Sequence, residues 1–179
     1  MSILTSGIRE DKEYSQLLSA IEKEHNSKVT LPLLVTGLCD GAADSLFISL
    51  FEDIQKKHGT SLVVCSDEKE CLRLCNLLNA NSIKSAFFQS RDLTFYNISA
   101  SHDYEHERLK VLYELYTGNL DAVTVTPDTL LGYTVPPKRL NDATVFFDYS
   151  AEVDLMNLAT VLVKSGYKKV ELKIGRAHV

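Results

Sequence analysis

Residues 33–45 read Leu-Leu-Val-Thr-Gly-Leu-Cys-Asp-Gly-Ala-Ala-Asp-Ser, and no other stretch constrains the fold as tightly. An apolar run of strand character breaks into a loop of small residues. That loop leads into an apolar-periodic segment, Leu46 to Ile54. Strand, tight loop and helix is the setting of a phosphate-binding loop, whose pattern is G-x-x-x-x-G-K-[ST]. On that pattern Gly37 takes the first glycine, Ala42 the second, Ala43 the lysine and Asp44 the hydroxyl residue. Such a loop works because backbone N–H groups and the positive end of a helix surround an anion that a lysine neutralises. Here the lysine is absent, and a carboxylate stands where a hydroxyl would hold magnesium. Asp44 repels a triphosphate. Gly37, Gly41, Ala42, Ala43 and Asp44 are therefore read as a degenerate phosphate loop with no bound cofactor.

The segments around this loop alternate between helix and strand patterns. Asp11 to Glu24 carries Tyr14, Leu17, Leu18 and Ile21 at helical spacing and predicts an amphipathic helix lying on the domain as a lid. Val29 to Thr36 is the first expected strand, with Pro32 restricting its early part. Ser45 to Lys57 is a helix closed by Gly59, and Ser61 to Cys65 is a short apolar strand. Ser66-Asp67-Glu68 opens a helix whose Leu72, Leu74, Cys75, Leu77 and Leu78 are expected to face inward. Ser85 to Phe88 is the third strand. After a loop from Asp92 to Ser101, a helix runs from Tyr104 to Tyr116 and stops at Gly118-Asn119. Ala122 to Thr126 is a β-branched strand, and Pro127-Asp128 opens a helical turn. This alternation predicts an α/β fold, a parallel sheet with helices on both faces.

Val135-Pro136-Pro137-Lys138 reads as an extended connection and a domain boundary. Beyond it Ala143 to Asp148 is a strand, Val153 to Lys164 a helix capped by Gly166, and Lys168 to Leu172 the start of another strand. The expected division is a first domain over residues 1–140 and the start of a second, small α/β domain over 141–173. Residues 174–179, Ile-Gly-Arg-Ala-His-Val, resemble a translated sequencing adapter and are read as a non-native tail.

Charge narrows the partners. A formal net charge of −5 supplies no general attraction to nucleic acid, and no local basic patch is visible. No apolar run reaches membrane-spanning length, so no membrane partner is expected. Four cysteines without C-x-x-C spacing suggest a reducing, cytoplasmic setting with thiols used as small buried hydrophobes.

Three motifs compete for chemistry. Gly37-Leu38-Cys39-Asp40-Gly41 fits a G-x-C-x-G nucleophile elbow, which makes a cysteine hydrolase with Cys39 as nucleophile the enzyme alternative. The histidine far downstream, His178, lies in the suspect tail, so the elbow has no evident base. His102-Asp103-Tyr104-Glu105-His106 matches H-x-x-E-H, but at a helix entrance it reads as a polar first turn suited to the helix dipole. Cys71 and Cys75, four apart among leucines, read as core. No metal site and no catalytic residue is expected.

Three stretches together carry a family resemblance. They are the degenerate loop, then Arg91 to Leu109 (Arg-Asp-Leu-Thr-Phe-Tyr-Asn-Ile-Ser-Ala-Ser-His-Asp-Tyr-Glu-His-Glu-Arg-Leu), then Thr126-Pro127-Asp128-Thr129-Leu130-Leu131. Across about Leu33 to Leu172 the chain resembles the N-terminal region of the bacterial transcription-repair coupling factor. That region is similar to the excinuclease B subunit without its ATPase. The excinuclease B subunit itself, an ATP-dependent damage-binding domain, is the alternative. It carries the intact lysine and hydroxyl and a tyrosine-rich hairpin, where this chain has the short link Asp92 to Ser101 with Tyr96 alone.

The resemblance implies a P-loop-NTPase-like domain and a non-enzymatic adaptor role in nucleotide excision repair. The excinuclease A subunit is the implied partner through the second domain, here truncated. RNA polymerase and DNA are implied only through parts of the parent protein outside this chain, as are ATP and magnesium, which serve its downstream motor. Lys168, in the turn Gly166-Tyr167-Lys168, is the residue the resemblance places near the excinuclease A contact.

Overall fold

A computed structural model of the chain describes residues 3–27, 31–39, 41–90, 102–146 and 153–168. It begins with two helices, α1 (Ile3–Arg9) and α2 (Lys12–His25). Asp11 caps α2 by accepting the Glu13 N–H at 2.8 Å, which satisfies one of the free donors at the helix start. The expected amphipathic helix is thus present, while α1 had no counterpart in the sequence pattern.

The first expected strand does not form. Residues 31–36 belong to no strand, and residues 28–30 lie outside the described set. Leu34 is 87% exposed and Leu31 64%. The apolar run was read as a core strand because of its composition, but a strand needs a neighbour. Among the described residues neither open edge of the sheet, at Ser61–Val64 or at Ser85–Phe88, pairs with this run.

After this segment α3 (Ala42–His58) leads through Gly59 to β1 (Ser61–Val64). The chain then alternates through α4 (Glu68–Ala80), β2 (Ser85–Phe88), α5 (His102–Tyr116) and β3 (Ala122–Val125). Among the described residues β1, β2 and β3 form one parallel sheet in the order β1-β3-β2. The alternation of short strands with helices made this α/β arrangement legible, because parallel neighbours need helical crossovers.

Helices cover both faces, unevenly. Val63, Phe87 and Ala122 face a cluster with Phe51 of α3 and Cys71, Leu74 and Leu78 of α4. The opposite side packs Phe88, Val123 and Val125 against Val111 of α5. Leu62 and Val64 share that second face in register with Val123 and Val125, yet they are 54% and 50% exposed. α5 packs over β2, at the far side of the sheet, and its cover does not extend to β1. The short apolar strand expected over Ser61 to Cys65 is thus a half-buried one at a sheet edge. Leu72 is likewise exposed rather than inward, because it lies off the Cys71–Leu74–Cys75–Leu78 stripe of α4.

The core holds one unpaired polar atom. Thr124 of β3 is fully buried between Val63 and Phe87, and its Oγ1 has no hydrogen-bond partner. Replacing it with the isosteric valine removes a desolvated hydroxyl without opening a cavity. Thr124→Val is expected to be neutral or to stabilise by up to about 1 kcal/mol in urea denaturation. A loss of that size would mean that the hydroxyl is bonded.

The chain divides into two compact units, Met1–Gly132 and Tyr133–Val179. The first closes with α6 (Pro127–Leu130), begun by Thr126 with proline at the first helical position. In the second unit Pro137 also starts a helix, α7 (Pro137–Asp142), so the expected extended connection ends at Pro136. The expected strand from Ala143 has no strand structure over 143–146, and residues 147–148 lie outside the described set. α8 (Leu155–Lys164) is capped by Asp154, whose side chain accepts the Met156 and Asn157 N–H groups. It ends at Gly166, with Tyr167 N–H on the Leu162 carbonyl and Gly166 N–H on that of Val163. The strand expected from Lys168 and the proposed tail fall on residues 169–179, outside the described set.

Candidate functional site

The candidate site is the start of α3. Gly37 and Gly41 both take positive φ, 79° and 83°, and Gly41 is the N-cap residue of the helix. A Cβ at either position would meet no atom within 4 Å, so glycine serves the backbone turn and not a close approach. The Ala42 N–H closes the turn on the Cys39 carbonyl at 3.0 Å. Ala42, Ala43 and Asp44 occupy the first helical turn, so α3 starts three residues before the expected Ser45. Asp40 lies outside the described residues.

Asp44 is engaged. Arg73 of α4 reaches across with both terminal nitrogens, Nη1 to Oδ2 at 2.7 Å and Nη2 to Oδ1 at 2.8 Å. The same guanidinium donates from Nε and Nη2 to Glu70, one turn earlier on α4, at 2.8 Å each. Hydrogen bonding to Arg73 holds the Asp44 and Glu70 carboxyls below their usual range and raises the Arg73 guanidinium above its own. Asp67, the N-cap of α4, accepts the Glu70 N–H at 2.8 Å, and that bond lowers its carboxyl as well. Arg73 is nearly half exposed, so the fork contributes on the order of 1 kcal/mol or less to stability. Its larger effect is on charge. Two carboxylates against one guanidinium leave this helix start net negative and its cation already committed.

The other candidate residues do not converge on a reaction centre. Cys39 is exposed in the loop before α3, whereas Cys65, Cys71 and Cys75 are buried. Burial pushes the Cys65 thiol up and the Cys71 thiol up to about 12, which makes both poor nucleophiles. Among the described residues no group of three or more His, Cys, Asp and Glu side chains is arranged to hold a metal ion. His106 is exposed on α5. Lys168 is exposed beyond the Gly166 cap, in the second compact unit.

Arg108 is a structural anchor. It is buried, lies over the Phe88 ring at 4.1 Å from the centroid, and donates from Nη1 to the Gln89 carbonyl. It thereby ties α5 to the end of β2.

Sequence reasoning missed Arg73. The Glu70–Arg73 spacing of three on a helix was a readable signal for a pair. Nothing in the sequence pointed to Asp44, 29 residues away, as the second partner. Comparisons with protein-family models, with curated proteins and with solved structures gave no match.

Proposed function

We propose that this chain is a non-catalytic adaptor module that resembles the N-terminal, excinuclease-B-like region of the transcription-repair coupling factor. In this reading it is a degenerate P-loop-like domain that helps bring the nucleotide excision repair machinery, through the excinuclease A subunit, to stalled RNA polymerase. One observation carries it. The helix start that would cradle a phosphate presents Asp44 clasped by Arg73, with Ala43 in the lysine's place. A parallel sheet with helices on both faces is compatible with this reading, whereas residues 31–36, which would lead into such a loop as a strand, form none.

Two titrations test the reading. Calorimetry with magnesium and ATP is expected to give no saturable heat, and a Kd below about 1 mM would overturn the non-catalytic half. Titration with purified excinuclease A subunit tests the adaptor half. Affinity is expected to be weak or absent in this chain and restored when the following residues of the parent are supplied, and binding left unchanged on extension argues against it.

A further inference from the structure

We propose that the α1–α2 hairpin is a separable arm, docked on α3 by a polar latch, that opens as a unit while the sheet and its helices stay folded. Among the described residues, neither hydrophobic cluster of the sheet domain contains any residue of α1 or α2. α1 packs on α3, and α2 packs on α1. Among the arm residues whose burial is described, Tyr14 and Thr5 are buried. Leu17, Leu18 and Ile21 of α2 are only partly covered.

A polar cluster ties the arm to α3. Arg9 donates from Nε and Nη2 to Asp53 at 3.1 and 2.7 Å, and from Nη2 to Glu52 at 2.8 Å. The Tyr14 hydroxyl donates to Asp53 at 2.7 Å. Each of these bonds runs from the arm to α3, and Asp53 is the acceptor common to both arm helices. Charge-assisted bonds of this kind are stronger than neutral ones, and their loss leaves a partly buried guanidinium and phenol unpaired. Beyond the arm, Leu31 to Cys39 joins no strand, so its second tether is not woven into the sheet. Opening would release the Glu52 and Asp53 carboxylates of α3, an acidic pair now matched by the chain's own arginine.

Native-state hydrogen exchange of the full chain in sub-denaturing urea tests this. The central amides of α2 are expected to show protection at least about tenfold below those of β3. Asp53→Asn is expected to lower α2 protection by about another tenfold, and Tyr14→Phe by a smaller factor, with β3 unchanged in both. One shared protection factor for α2 and β3 would overturn the proposal. So would a variant that lowers both equally, or an Asp53→Asn variant that changes neither.

Discussion

Truncating Leu78 to alanine is expected to cost about 3 kcal/mol, read as a lower urea midpoint with an unchanged slope. Leu78 is 1% exposed and sits in the cluster of α3, α4 and the sheet, among Phe51, Val63, Leu74, Ile83 and Ala122. The loss combines the transfer of three carbons with a cavity that a rigid strand and two helices cannot collapse. Its carbonyl also receives the Ile83 N–H at 3.0 Å, where α4 ends in a turn with Ser82 at φ 63°. Leu72, on the same helix, is half exposed. Leu72→Ala is accordingly expected to change stability by no more than about 0.5 kcal/mol, since the two residues have similar helix propensity. Equal losses at both positions would place Leu72 in the core and refute the burial pattern of α4.

Gly59→Ala is expected to destabilise by about 2 kcal/mol. Gly59 joins α3 to β1 at φ 77° and ψ −156°, a region that only glycine enters readily. A Cβ there would meet nothing within 4 Å, so the loss is torsional and cannot be relieved by movement of a neighbour. Asparagine separates this case from an ordinary helix stop. Gly118 follows α5 in the left-handed region at φ 71°, with the Asn119 N–H on the Glu114 carbonyl. Asparagine tolerates that conformation, so Gly118→Asn is expected to lose less than about 1 kcal/mol. Gly59→Asn is expected to lose as much as Gly59→Ala. Thermal denaturation of the three variants distinguishes the outcomes, and a silent Gly59→Ala would mean that the α3–β1 connection adopts another backbone path.

The second prediction bears on the candidate site, because α3 carries the degenerate loop at one end and hands the chain to β1 at the other. A shifted Gly59 connection would move α3 against α4, and with it the Asp44–Arg73 fork.

Much of the fold was local and hence readable. The caps Asp11, Asp67 and Asp154, the stops Gly118 and Gly166, and the proline at the start of α6 act within a few residues of themselves. Three of the expected strands, 61–64, 85–88 and 122–125, appear because β-branched and apolar runs between helices have few alternatives. The candidate site was half readable. The glycines and the missing lysine were visible in the loop itself, and so was the carboxylate at Asp44.

Tertiary structure decided the rest, for one reason: each outcome depends on a partner distant along the chain. Leu33-Leu34-Val35 has the composition of a core strand, but pairing and burial are properties of the sheet, and neither β1 nor β2 takes this segment at its open edge. Leu62 and Val64 look as buried as Val63 in sequence and are not, because helix cover reaches only part of the second face. Asp44 announced its charge but not Arg73, and Asp53 announced nothing of Arg9 and Tyr14. Residue types and short spacings determined most of the helices, though not α1 or α7, and where most of them stop. They also determined that the turn before α3 carries two glycines and no lysine. Which apolar runs are covered, and which arginine meets which carboxylate, emerged only when distant segments packed.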